Sequence, residues 1–457
     1  MSLRMGVVLT CGLLTAGLGG CKDPGDGGGG DGGVPSSCIR WSSDGMSWGT
    51  DAYDELIDVA IDGKGNVYMA GYDNGTVGQE NVEPSGNARG VLLKIEPDGL
   101  DEMGMEAPWS HVIDTAGSDV IEALTVHPGT GEVLFAGRTR GSLPGFQNQG
   151  QYDLFIGALS ETQAPSVLLQ TGTERPQHPR RIGVDGKGDI VVSGYDDIYI
   201  PSNYVDSWED PFVAKFHREG QSLTGVWTNQ FNSSFPDLLN GLAVETKGES
   251  SIYVSGANLA GASKGMFVGK LTADGKPLWF KLQSQIAVDM AQAVQTLSDG
   301  NVLFAGSTFA KLGDRAYGQQ DVVVRKLDAQ TGEPLWTKQY GSLESEWVTD
   351  MALDAEGNIY VVGETLGSFE QGYTHRGEFD VFMLKLDPNG NLLYIKQWGT
   401  EGDDHPSAVA VDTCGRMVVA GYTTGGAAAG HGRDALVITA SSGSSHIQGG
   451  VGEQSEP

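Results

Sequence analysis

Seven times along the chain, apolar and polar residues alternate for a short run, pass a tight turn and alternate again. Each run stops at a small residue followed by Gly. The phrases are IDVAIDGKGNVYMAG, IEALTVHPGTGEVLFAG, RRIGVDGKGDIVVSG, NGLAVETKGESSIYVSG, QAVQTLSDGNVLFAG, TDMALDAEGNIYVVG and SAVAVDTCGRMVVAG. They end at Gly71, Gly137, Gly194, Gly256, Gly306, Gly363 and Gly421, 50 to 66 residues apart. Alternation at period two predicts β-strands, and a fixed period above 40 residues predicts a repeat architecture.

Each phrase is followed by a variable loop and a third apolar run, such as VLLKI, LFIGAL, FVAKF, FVGKL, VVVRKL, VFMLKL or ALVIT. Turns such as Asp98-Gly99, Asp274-Gly275 and Asn389-Gly390 come next. They carry the signature of tight hairpins. A fourth run then holds an aromatic: Trp109, Trp227, Trp279, Trp336 or Tyr394. Four antiparallel strands per unit, repeated seven times, predict an all-β, seven-bladed propeller. We label the strands a to d. Trp279, Trp336 and Tyr394 each precede the next phrase-ending Gly by 27 residues, and Trp41 precedes Gly71 by 30, although no blade lies before it. Residues 38–44 are therefore expected to supply strand d of blade 7, closing the ring and removing a free sheet edge. Ser445–Gly450 is the competing strand, without the aromatic.

The ends read differently. Residues 1–21 begin with a positive Arg4, continue with a short apolar stretch and end at Leu18-Gly19-Gly20-Cys21. That is too short and glycine-rich for a membrane span, and resembles a bacterial lipobox, in which the Cys is lipidated after cleavage before it. Residues 22–37 contain GDGGGGDGG and read as a disordered tether. The propeller is assigned to 38–450 and a disordered tail to 451–457. Lys22, where an Asp would favour inner-membrane retention, points to the outer membrane of a Gram-negative bacterium. Of four cysteines, Cys11 leaves with the signal and Cys21 takes the lipid. Cys38 and Cys414 remain in an oxidising compartment. In the ring scheme both lie toward one end of blade 7, so a disulfide between them is expected. The formal charge of −30 disfavours nucleic acid, which needs clustered Lys and Arg.

DMALDAEGNIYVVGETLGSF, GEFDVFMLKLDPNGNLLYIKQWGT and AVAVD resemble the bacterial seven-bladed β-propeller repeat family SBBP. The resemblance spans nearly all of residues 38–440, most strongly in blades 1 and 6. With the lipobox, it is similar to lipoproteins of myxobacteria and other soil bacteria. It implies a fold and a cell-envelope location, and no catalytic residue.

The candidate chemistry is sparse. Asp62–Asn66, Asp185–Asp189 and Asp354–Asn358 superficially look like calcium loops but hold too few spaced oxygens, so hairpin turns are expected. Lys94, Lys215, Lys270, Lys326 and Lys385 recur in strand c, as one packed or paired face would. No metal, cofactor or catalytic motif is assigned. The b–c loop of blade 3, YDDIYIPSNYVDSWEDP, is the candidate ligand site, with Tyr195, Asp196, Asp197, Tyr199, Tyr204 and Trp208. Rings stack on sugars or apolar faces, and carboxylates accept hydroxyls. The expected function is a lipid-anchored, monomeric binding or scaffold propeller, with a protein or glycan partner on the face where b–c and d–a loops emerge. The alternative is a glycan lyase or hydrolase using Asp403, Asp404 and His405 at the channel mouth.

Overall fold

The computed structural model describes residues 45–48, 54–73, 88–96, 109–160, 163–198, 208–231, 237–248, 250–258, 264–286, 288–425 and 433–440. They form seven four-stranded antiparallel sheets. Six blades run in chain order a-b-c-d, from Asp54–Ile61 through Trp109–Ile113 in blade 1 to Glu346–Leu353 through Leu392–Trp398 in blade 6. Blade 7 takes strands a to c from Asp404–Val411, Met417–Thr423 and Asp434–Ala440, and its fourth strand, Gly45–Trp48, from the other end of the chain. The N-terminal closure holds, but its register corrects the sequence reading. Trp48 lies opposite Ala435, as Trp398 lies opposite Val381, and both tryptophans precede Gly-Thr. The blade 6 pattern is therefore repeated at 48–50. Counting back from Gly71 overshot because the loops between blades vary in length. Residues 38–44, with Trp41 and Cys38, lie outside the described residues.

The core consists of seven apolar clusters, one between each pair of neighbouring blades. The cluster joining blades 7 and 1 packs Val67, Met69 and Leu93 against Val418, Ala420 and Val437. Sheets with both faces covered need no alternation in their middle strands. The b and c strands are accordingly buried almost throughout, as in Val302–Thr308 and Asp380–Leu386.

The phrase-ending glycines have one common cause. Every strand a carries a β-bulge, as between Leu56 and Asp58 or Pro406 and Ala408. The bulge pushes a strand-a carbonyl against strand b. A Cβ on Gly71, Gly137, Gly194, Gly256, Gly306, Gly363 or Gly421 would stand 1.8–2.2 Å from that oxygen. On the outer rim, the strand-d aromatic packs on the c–d turn of the next blade. Trp279 Nε1 donates to Ala329 O at 3.2 Å, and its ring touches Gly332, whose φ is +72°.

The recurring turn acids and lysines are structural. Asp62 accepts from the Lys64 and Asn66 amides, the Asn66 side chain and Tyr68. Lys215 is held by Asp185 at 2.6 Å and Asp189 at 3.2 Å, and Lys326 by Asp299 at 2.6 Å.

Candidate functional site at the channel mouth

The antiparallel order puts the b–c and d–a loops on one face. There the residue after each phrase-ending Gly faces a residue near the start of strand a. The pairs are Tyr72 with Glu55, Arg138 with Val120, Tyr195 with His178, Ala257 with Leu238, Ser307 with Met290, Glu364 with Trp347, and Tyr422 with His405. The bulge lies just beyond them, so the glycines let strand a present these side chains at the mouth of the ring.

Five of the seven blades carry these side chains in a belt of two linked groups, one across blades 6, 7 and 1 and the other across blades 2 and 3. In blade 6, Glu364 Oε2 lies 2.5 Å from Nδ1 of His405 of blade 7. His405 stacks on Tyr422 at 4.7 Å and leans on Phe379 at 5.0 Å. Arg433 covers the Tyr422 ring at 4.1 Å and donates to Glu55 of blade 1 at 3.2 Å, which also accepts from the Tyr72 hydroxyl at 3.1 Å. Burial raises the Glu55 pKa, against the pull of Arg433, Tyr72 and His405. Burial likewise lifts the Tyr422 phenol to about 12. In blades 2 and 3, Arg138 pairs with Glu122 at 3.1 Å and donates to Nδ1 of His178, which stacks flat on Tyr195 at 4.6 Å. Arg138 and Arg140 lie 4.8 and 4.3 Å from the Tyr152 ring, and Arg180 lies 5.1 Å from that of Tyr195. Blades 4 and 5 contribute Leu238, Ala257, Met290 and Ser307, and the belt stops there. The side chains of Glu364, His405, Glu55 and Arg433 are 19–21% exposed, enough to meet a ligand while held in place.

Below the mouth, a cavity of about 320 Å³ is lined by all seven innermost strands. Asp58 accepts from the Val59 and Leu124 amides at 2.8 and 2.7 Å, and Asp350 accepts from Val409 at 3.0 Å. Each carboxylate thereby ties a bulge to the next blade. Arg181 reaches Asp350 at 3.6 Å. Burial lifts Asp58 to about 6, with Arg181 opposing and Asp350 assisting. Among the described residues, no group of three or more His, Cys, Asp or Glu side chains is placed to hold a metal ion.

The blade 3 candidates divide. Strands b and c extend into the expected loop, pairing Tyr195 with Pro211, Asp196 with Asp210, Asp197 with Glu209 and Ile198 with Trp208. Tyr195 joins the belt. Asp196 is buried and accepts from Gln177 at 3.2 Å and Gln230 at 2.7 Å. The side chains of Asp197 and Trp208, and all of Tyr199 and Tyr204, lie outside the described residues. Asp404 is buried under Thr400, whereas His405 faces Glu364. Glu55, Arg138, His178, Glu364, Tyr422 and Arg433 were missed in sequence. The signal was the residue after each phrase-ending Gly, which changes from blade to blade as Tyr, Arg, Tyr, Ala, Ser, Glu, Tyr.

Residues 335–370 match the SBBP beta-propeller repeat family. The match covers strand d of blade 5 and strands a and b of blade 6. No curated protein is significantly similar in sequence. Among solved structures, Sqt1 from Chaetomium thermophilum is 11% identical over 86% of this chain and 97% of its own, with a TM-score of 0.47. A fungal alcohol oxidase of the AA5 family, in complex with copper, is 12% identical over 88% of this chain and 77% of its own, at 0.47. Neither similarity bears on function.

Proposed function

We propose that this propeller is a lipid-anchored binding module of the bacterial cell envelope, taking its partner on the loop face around the channel mouth. The observation that supports this reading is the belt itself. Charged and aromatic side chains from five blades pair and stack with one another, those of blades 6, 7 and 1 partly exposed, where structure alone would need only apolar packing. The lipid on Cys21, the tether 22–37 and an outer-membrane location belong to the same proposal. So does a Cys38–Cys414 bond. Cys414 is disulfide-bonded, with its partner outside the described residues. Such a bond would fasten the anchor end of the chain to the closing blade.

Capture of envelope partners by the full chain tests the reading. His405→Ala with Arg433→Ala should abolish capture, while Lys281→Ala, on the outer rim, should leave it intact. Capture unaffected by both belt substitutions overturns the loop-face site. Incorporation of a palmitate analogue, lost in Cys21→Ala, tests the anchor.

One observation favours a second reading, an enzyme acting on glycans. With Nδ1 of His405 held by Glu364, Nε2 is left to move a proton. Turnover of an envelope glycan, lost equally in His405→Gln and Glu364→Gln, would establish it.

A further inference from the structure

We propose that the central channel binds a free α-amino acid with an apolar side chain. The cavity beneath the mouth is lined from Asp58, Arg181 and Asp350 down to Pro128 and Thr246, at the a–b turns. It therefore lies toward the face opposite the belt, and the proposal goes beyond the loop-face reading. At about 320 Å³ it stands at the small end of ligand sites, which run from about 300 to 1,000 Å³.

Three charged side chains line it, all at the inner end: Asp58 from blade 1, Arg181 from blade 3 and Asp350 from blade 6. The contact of Arg181 with Asp350 spans the channel at 3.6 Å, too long for a hydrogen bond. A guanidinium carries five donors. That of Arg181 makes no hydrogen bond among the described residues, and its side chain is 22% exposed. Asp58 and Asp350 are steadied by the amides of Val59, Leu124 and Val409, and their oxygens keep lone pairs for a further donor. Two carboxylates to one guanidinium leave a negative charge over. Burial and the charge of Asp350 lift the Asp58 pKa to about 6 against the pull of Arg181, so Asp58 is short of a cation.

A fork with unmade donors suits a carboxylate, and an acid short of a cation suits an ammonium. An α-amino acid carries both on one carbon. A simple anion would meet two carboxylates for one guanidinium. A metal ion would find no group of three or more His, Cys, Asp or Glu side chains among the described residues. Beyond the charges, half-buried Leu242, Val244 and Ala352 line the cavity, and blades 4 and 5 line it without a charged side chain. That wall favours an apolar side chain over a charged one.

The test is calorimetric titration of the full chain with L-leucine, with isocaproate, which lacks the ammonium, and with isoamylamine, which lacks the carboxylate. Leucine should bind, and each of the other two at least tenfold more weakly. Arg181→Met should cost at least tenfold in leucine affinity and leave isoamylamine binding no weaker. Asp58→Asn should weaken leucine and isoamylamine alike, by about tenfold, and leave isocaproate no weaker. Arg181→Lys keeps a cation between the acids but loses the fork, so it should melt close to the wild type and still weaken leucine about fivefold. It decides the matter if Arg181→Met fails to fold. His405→Ala with Arg433→Ala should leave leucine affinity unchanged. Failure of leucine to bind overturns the proposal, as does binding of either half as tight as leucine, or leucine affinity unchanged in Arg181→Lys. If leucine fails while a captured partner still depends on His405 and Arg433, this proposal falls and the loop-face reading stands.

Discussion

Glu346, at the start of strand a in blade 6, accepts from Ser342 and Thr365, and burial lifts its pKa from 4.5 to about 7. Below pH 4.5 the folded and unfolded states both hold the proton and nothing is lost. As pH rises toward 7, the unfolded chain ionises first, so stability falls across that window and stays lower above it. The penalty is about 3 kcal/mol at most. Glu346→Gln should flatten the melting temperature between pH 4.5 and 7, as measured by calorimetry. Arg181 acts in the opposite sense on the channel acids. Arg181→Met removes the cation beside Asp350 and near Asp58, so their pKa values rise further. The variant should lose about 2 kcal/mol at pH 8 and clearly less at pH 5. Equal loss at both would show that packing, not charge, is what Arg181 supplies. Neither role was legible in sequence. Burial of an acid depends on what the neighbouring blade places over it, and Arg181 and Asp350 lie 169 positions apart in the numbering.

At the scale of elements, the seven phrase-ending glycines carry the most information per residue. Gly306→Ala places a Cβ 2.1 Å from the Met290 carbonyl, backbone on backbone. Relief requires undoing the bulge, and we expect a loss of about 3 kcal/mol by urea titration. At the rim, Trp279→Ala loses the bond to Ala329 and the packing on Tyr253, and should cost about 3–4 kcal/mol. These features were plain in the chain as recurring Gly and recurring aromatics. Their reason was not, because a bulge in one strand and a turn in the next blade share no sequence neighbourhood. The same holds for the blade 3 loop. Its tyrosines and acids look like one cluster, yet strand pairing turns Tyr195 and Asp196 to opposite faces. One joins the belt and the other the buried scaffold.

On the scale of the whole molecule, Gly45–Trp48 decides whether the ring is closed. Removing residues 1–48 should open the edge of blade 7, so the truncated chain should aggregate or melt well below the full chain in light scattering and calorimetry. Reduction should destabilise the oxidised protein by up to about 4–5 kcal/mol if Cys38 is the partner of Cys414. Peptide mapping under non-reducing conditions identifies the partner directly. Blade number, strand order and closure from the N-terminal side were all readable beforehand, because a repeat states each structural rule seven times and errors in one copy are corrected by the others. The closing strand itself was placed several residues early. It has only one copy, and its position depends on a loop whose length no repeat constrains.

What the sequence determined by itself is the propeller: period-two alternation, turns at fixed offsets and a seven-fold repeat leave no other way to cover the sheets. What only the tertiary structure decided is the belt. Its residues come from five blades, and each is ordinary within its own repeat. Glu364, His405, Tyr422, Arg433, Glu55 and Arg138 become one surface because a closed ring brings the start of each strand a, the end of the strand b paired with it and the start of strand c to the same mouth. The sequence repeats the frame and varies the residue after the glycine. Only closure turns five of those seven variations into a site.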